Sequence, residues 1–185
     1  MKVTPMSLPE VLLVEPKRFG DDRGYFLETF HKERYAAAGM QLNFVQDNLS
    51  KSARGILRGI HLQHPNSQGK LVYVLAGEVF DVAVDVRVGS PTFGQWTGAV
   101  LSADDHRQLW IPPGFAHGFC VTSESALFTY KCTELYSVSN EIAVAWNDPA
   151  IGIPWPVAEP QLSPKDKAAP PLAAIDPARL PRYQG

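Results

Sequence analysis

An all-β fold, closed into a barrel or packed as a sandwich, is predicted by three features of this 185-residue sequence. Residues 79–87 alternate cleanly, with Phe80, Val82, Val84 and Val86 on one face and Asp81, Ala83, Asp85 and Arg87 on the other. Similar short β-rich runs recur at near-regular spacing, cut by turn formers. Only one stretch, about Lys32–Ala38, reads as a helix: it is rich in good helix formers and is stopped by Gly39 at the position where a left-handed residue ends a helix.

In chain order, Phe19-Gly20-Asp21-Asp22-Arg23-Gly24 is a turn leading into the aromatic strand Tyr25–Glu28, either a salt-bridged hairpin entrance or a clamp with Arg23 on a phosphate. Gln46-Asp47-Asn48 has the composition of a turn and also of a hydrogen-bonding edge for a base or sugar. Strands are expected at 71–75, 79–87, 95–101, 107–111, 118–122, 126–133 and 141–146, with turns at Ala76-Gly77, Gly89-Ser90-Pro91 and Pro112-Pro113-Gly114. From Pro154 the texture changes, because half of the 16 prolines lie in the last 32 residues. Proline excludes ladder and helix interior alike, yet Trp155, Leu162, Leu172 and Ile175 are poor choices for a solvated tail. The expectation is one domain over 1–185, with a barrel core at about 40–150 and a tail at about 154–185 packed back on it.

The balance of 45% hydrophobic and 19% charged residues suits one globular core, and the net charge of −2 argues against a nucleic-acid surface. No apolar stretch approaches the roughly 18–20 residues of a membrane span, and residues 1–5 lead into no signal-type apolar segment. A cytoplasmic protein is expected. Cys120 and Cys132 lie in apolar runs without metal-type or disulfide-type spacing and read as core residues.

The chemistry concentrates in Gly55-Ile56-Leu57-Arg58-Gly59-Ile60-His61, followed nine residues later by Lys70. An imidazole removes a proton from a carbon acid only if the enolate oxygen is held, and an ammonium group does that. The fork of Arg58 suits a phosphate oxygen pair better. The alternative is a half-buried strand with a hydrogen-bonded His and solvated Arg and Lys. His117, after Pro112-Pro113-Gly114, invites a metal reading together with His61, but His61 and His64 are three apart and so face opposite ways on a regular strand. No metal is expected; His117 is read as a hydrogen-bond donor to an anionic ligand or a catalytic neighbour. Tyr130 shares its strand face with Phe128 and Cys132, so its hydroxyl is either a core hydrogen bond or a proton donor. Ser163-Pro164-Lys165-Asp166 is able to bring a charged pair to a site formed elsewhere.

Together, the runs 19–24, 45–48, 57–61, 68–72, 77–85, 113–119 and Trp146-Asn147-Asp148-Pro149 resemble the dTDP-4-dehydrorhamnose 3,5-epimerase family of the cupin superfamily, over nearly the whole chain. The resemblance implies a cupin-type jelly-roll barrel, usually a homodimer, that binds a dTDP-linked 4-keto-6-deoxy sugar without metal or redox cofactor. It makes His61 the base, Asp166 the carboxylate that orients it, Lys70 the enolate stabiliser and Tyr130 the acid on the opposite face. Arg23, Glu28, Gln46, Asp47, Asn48, Arg58, His117, Glu141 and Lys165 match positions that hold the nucleotide sugar, and Tyr136 one that stacks near the thymine. The chain departs from the family pattern at Leu62, at Leu135 and at Asn140-Glu141-Ile142.

The implied reaction converts dTDP-4-dehydro-6-deoxy-D-glucose to dTDP-4-dehydro-L-rhamnose, a precursor of surface polysaccharide. One base and one enolate-holding cation serve both carbons beside the carbonyl in turn, and no hydride moves, in keeping with the lack of a Gly-rich dinucleotide fingerprint. Three rivals differ in class: an epimerase of one carbon only, a metal-dependent cupin, and a sugar-nucleotide binding module without activity.

Overall fold

A computed structural model describes residues 1–40 and 43–184. The chain runs β1 (Lys2–Pro5), β2 (Leu12–Glu15), β3 (Arg18–Asp21), β4 (Gly24–Leu27), α1 (Lys32–Ala37), β5 (Gln46–Ala53), β6 (Leu57–Gln63), β7 (Lys70–Ala76) and β8 (Glu78–Asp85). It continues through β9 (Trp96–Ser102), β10 (Gln108–Ile111), β11 (Phe115–Val121), β12 (Ser125–Cys132), β13 (Glu141–Ala143) and α2 (Pro164–Lys167). Two antiparallel sheets face each other, one ordered β1-β2-β10-β7-β12-β5 and the other β13-β6-β11-β8-β9, with β3 and β4 forming a separate hairpin. This is the jelly-roll arrangement of two sheets around one interior.

Between the sheets lie Val72, Val74, Leu109, Phe119 and Phe128, all buried. The outer face of the first sheet is covered by α1, whose Tyr35 is 1% exposed and packs with Val14, Leu71 and Trp110. The alternation of residues 79–87 has an unexpected sense. Its apolar face (Val82, Val84, Val86) is the outer one, packed with Leu172, Ile175 and Leu180 of the tail, while the face carrying Asp81 and Ala83 looks into the barrel.

The Pro-rich tail packs on the barrel as expected. Each of Leu172, Ile175 and Leu180 contributes about 1.5–3 kcal/mol by leaving water, and proline lowers the entropy lost on ordering such a segment. Polar anchors fix its path: Asp148 accepts from the backbone N–H of Leu172 at 2.7 Å, and the N–H of Ala145 donates to the Pro170 carbonyl at 2.8 Å. Gln46-Asp47-Asn48 is not a turn but the start of β5, paired with β12 through Cys132, Lys131 and Tyr130.

Candidate active site

The site grows from an irregularity in β6. His117 on β11 pairs with His61, but Phe119, two residues on, pairs with Arg58, three residues back, so β6 carries one extra residue there. Gly59 makes this possible. Its φ is +125°, and a Cβ at that position would lie 2.5 Å from the Cα of Gly118. On a regular strand, residues three apart face opposite ways; here the bulge turns both Arg58 and His61 into one cavity.

From the facing sheet, β5, β12 and β7 supply an inward row. Gln46 lies opposite Cys132, Asn48 opposite Tyr130, and Lys70 beside Cys132. Two lobes of about 310 and 810 Å³ share His61, Lys70 and Tyr130. The smaller is lined by Gln46, Asn48, Tyr136 and Glu141, the larger by Arg58, His117, Lys165 and Asp166.

The tail completes the site. Gln161 joins the start of β6 through hydrogen bonds from Leu57 N–H (3.0 Å) and to the Gly55 carbonyl (2.8 Å). Ser163 then caps the short α2, accepting from the N–H of Asp166 at 3.1 Å, with Pro164 at the first helical position. Asp166 thereby reaches His61, its Oδ1 2.5 Å from Nε2. Burial works against the Asp166 anion, but the hydrogen bond and charge of His61, with Ser163, hold its pKa below the usual carboxylate value.

Electrostatics differ from group to group. Burial pushes the Lys70 ammonium down, against the pull of Cys132, Asp81 and Glu141. Burial pushes the Tyr130 phenol up, so it keeps its proton. Glu141 accepts from Lys165 (2.7 Å) and Tyr136 (3.1 Å); burial raises it, but the Lys165 contacts dominate and its pKa is lowered. Arg58 donates through Nε to Ser52 Oγ at 3.0 Å, and no carboxylate pairs with it among the described residues. Gln46 accepts from the Tyr136 N–H at 2.9 Å and donates to Asn48 at 3.0 Å, which in turn reaches the Cys132 sulfur at 3.6 Å. Cys132 is therefore a neighbour of the site as well as a core residue.

Three residues that the resemblance assigns to the ligand lie elsewhere in this chain. Arg23 folds onto Asp21 at 2.6 Å at the tip of the β3–β4 hairpin. Glu28 pairs with Arg34 at 2.8 Å. Asp47 points outward on β5 and pairs with Lys131 at 3.0 Å. His64 follows the end of β6 and lines a different cavity, with Ser67 and Arg87. Conversely, sequence reasoning passed over Asp81, whose two carboxyl oxygens lie 2.9 and 3.1 Å from His117 Nε2, and Ser52. The signal for Asp81 was its place on the polar face of the 79–87 alternation.

Residues 5–174 match the family described as dTDP-4-dehydrorhamnose 3,5-epimerase. The chain belongs to that family. An enzyme of this name from Salmonella typhimurium is 56% identical over 173 residues, covering 92% of this chain and 94% of its own length. The crystal structure of dTDP-6-deoxy-D-glucose-3,5-epimerase from Legionella pneumophila, solved with dTDP-4-keto-L-rhamnose, superposes with a TM-score of 0.97 at 53% identity, covering 100% of this chain and 99% of that one. A dTDP-4-dehydrorhamnose 3-epimerase from Streptomyces niveus is 41% identical over 186 residues, with 99% of this chain and 90% of the relative covered. Like its relatives, this epimerase is an isomerase of a dTDP-linked sugar with a cupin-type β fold.

Proposed function

We propose that His61, Lys70 and Tyr130 carry out the 3,5-epimerisation in this chain, acting on the dTDP-4-keto-6-deoxy sugar from its two faces. The supporting observation is their placement: His61 comes from one sheet and Tyr130 from the other, with Lys70 between the two lobes. His61, whose Nε2–H is held by Asp166, takes the proton from carbon 3 or carbon 5 on its other ring nitrogen. The electron pair of the broken C–H bond moves into a C=C bond as the carbonyl π pair shifts to oxygen, and the Lys70 ammonium holds the enolate. The electrons return as the phenol of Tyr130 protonates the same carbon on the other face. Inversion results, and the phenolate and imidazolium exchange protons with water before the second centre reacts.

The residues of the smaller lobe (Gln46, Asn48, Tyr136, Glu141) are assigned to the nucleotide, and Arg58 to the diphosphate, for which its unpaired fork is suited. Arg23 and Glu28 enter through a second copy. The β3–β4 hairpin leaves Phe19, Tyr25 and Phe26 between 52% and 69% exposed, and exposed aromatic side chains gathered on one hairpin favour association. A homodimer in which each hairpin leans over its neighbour's cavity uses both that patch and Arg23. A cytoplasmic location accords with two buried free cysteines and with the lack, among the described residues, of a helix long and apolar enough to cross a membrane.

The test is incubation of the purified protein with dTDP-4-keto-6-deoxyglucose in deuterated water, followed by proton NMR. Exchange and inversion at both carbons is the expected result. Relatives described as a 3-epimerase and as a 3′-monoepimerase, the latter from Streptomyces bikiniensis, define the second reading. Exchange confined to carbon 3 would establish it.

A further inference from the structure

The cavity holds a second histidine–carboxylate pair. Asp81 on β8 has no solvent exposure, and its two oxygens lie 3.1 and 2.9 Å from Nε2 of His117. His117 is 7% exposed, its ring plane is set by stacking at 16° on Phe128, and it opens on the lobe that also holds His61, Lys70 and Tyr130. None of the roles assigned above uses Asp81.

Two arguments place the proton between them. A nitrogen nearly equidistant from both carboxyl oxygens is the arrangement of an N–H shared by an anion, whereas a carboxyl O–H aims one oxygen at the nitrogen. Charge balance agrees. Buried charges need compensation; burial raises the Asp81 pKa, and His117 and then Lys70 pull it back toward the anion. With Lys70 positive and Asp81 negative, a neutral His117 leaves the trio without net charge, and burial holds the His117 pKa below the usual imidazole value. The single imidazole proton then lies on Nε2, and Nδ1 is a bare lone pair.

We propose that Asp81 is a positioning residue of this epimerase, locking His117 in the Nε2–H tautomer so that Nδ1 accepts a hydrogen bond from a hydroxyl of the bound sugar. The inference rests on the functional reading above and refines it. A phosphate oxygen only accepts, so it has nothing to give to a lone pair; His117 belongs to the sugar end of the ligand and Arg58 to its diphosphate. A 4-keto-6-deoxyhexose carries suitable donors, its hydroxyls at carbons 2 and 3.

The experiment is imidazole ¹⁵N NMR on the wild-type protein, alone, with dTDP and with dTDP-glucose. His117 is expected as the Nε2–H tautomer at neutral pH, with an Nδ1 resonance that moves on adding dTDP-glucose and stays in place with dTDP. A proton on Nδ1, or on both nitrogens, overturns the proposal, as does an Nδ1 shift that dTDP alone reproduces. Asp81→Asn supplies the kinetic arm: dTDP affinity within about twofold of wild type, but kcat/KM for the keto sugar nucleotide lowered roughly tenfold, the order of one lost hydrogen bond. Equal losses in both measurements would make Asp81 merely structural. If that variant does not fold, the wild-type spectra still decide. Wild-type protein that takes up neither ligand overturns the functional reading itself, whereas a bound dTDP-glucose that leaves Nδ1 unmoved overturns only the role of Asp81.

Discussion

His61 and His117 sit directly across from each other on β6 and β11, and each is held by its own buried carboxylate, Asp166 for the first and Asp81 for the second. The two carboxylates differ in how they arrive. Asp81 stands on the strand next to His117, while Asp166 comes from a tail segment 105 residues beyond its partner. In the proposed mechanism, one imidazole is the base and the other a fixed hydrogen-bonding group.

His61→Ala is expected to abolish solvent exchange at both carbons, since the free nitrogen of His117 is assigned to a sugar hydroxyl and not to a reacting C–H. Asp166→Asn should keep dTDP affinity and lower turnover, because the imidazolium loses its counter-charge. Deuterium incorporation followed by NMR checks both. Near wild-type exchange in the His61 variant would remove it from the mechanism.

Lys70→Met should lower turnover roughly 100- to 1,000-fold, the range for losing one preorganised oxyanion donor, with little change in dTDP binding by calorimetry. Loss of dTDP affinity instead would assign Lys70 to the diphosphate.

Tyr130→Phe keeps the ring packed beside Phe128 and removes only the acidic proton. Exchange with retention should continue, with His61 returning what it took, while inversion slows about 10²–10⁴-fold, the usual worth of acid catalysis. Unchanged inversion at both centres would exclude Tyr130 as the acid.

Arg58→Ala should weaken dTDP binding about 10- to 100-fold, as for a hydrogen bond to a charged group. Arg23→Ala should behave similarly but be rescued in trans. Mixing and refolding it with the His61→Ala protein creates mixed dimers with one site free of both lesions, so activity at low substrate should rise above that of either protein alone. A mixture with no such rise would place Arg23 within its own subunit's site.

Acid should loosen the tail before the barrel. The pKa values of Asp166 and Glu141 are both lowered in the folded protein, so their contribution to stability is present above the unfolded carboxylate value of about 4 and disappears as pH falls through the folded values. Thermal melting from pH 7 to 3 should show this, and Asp166→Asn should flatten part of the slope. Parallel curves for variant and wild type would refute it.

Much of this was readable in the residues. The strand runs from 71 to 133 and the packed tail follow from alternation and apolar content, whereas the convergence of His61, Lys70 and Tyr130 comes from the resemblance to the family. What escaped depends on distant pairing. The bulge at Gly59 requires Gly118 on another strand, and without it Arg58 and His61 would be assigned to opposite faces. Asp81 stands on the polar side of the 79–87 alternation, and only the covering tail makes that side of β8 the interior one. Gln46 and Asn48 have turn composition, but the ladder with β12 overrides it.

The attachment of Gln161 to the first residues of β6, with Asp166 following, has a consequence for synthesis. All thirteen strands of the described residues have left the ribosome's peptidyl-transferase centre before Asp166, the carboxylate in contact with His61, is even translated. A nascent barrel can therefore begin to close around its interior before the proposed base is aligned, and a message cut short after β13 lacks both Asp166 and the apolar residues Leu172, Ile175 and Leu180 that cover Val82, Val84 and Val86. Turnover in this architecture is a report that translation reached the tail.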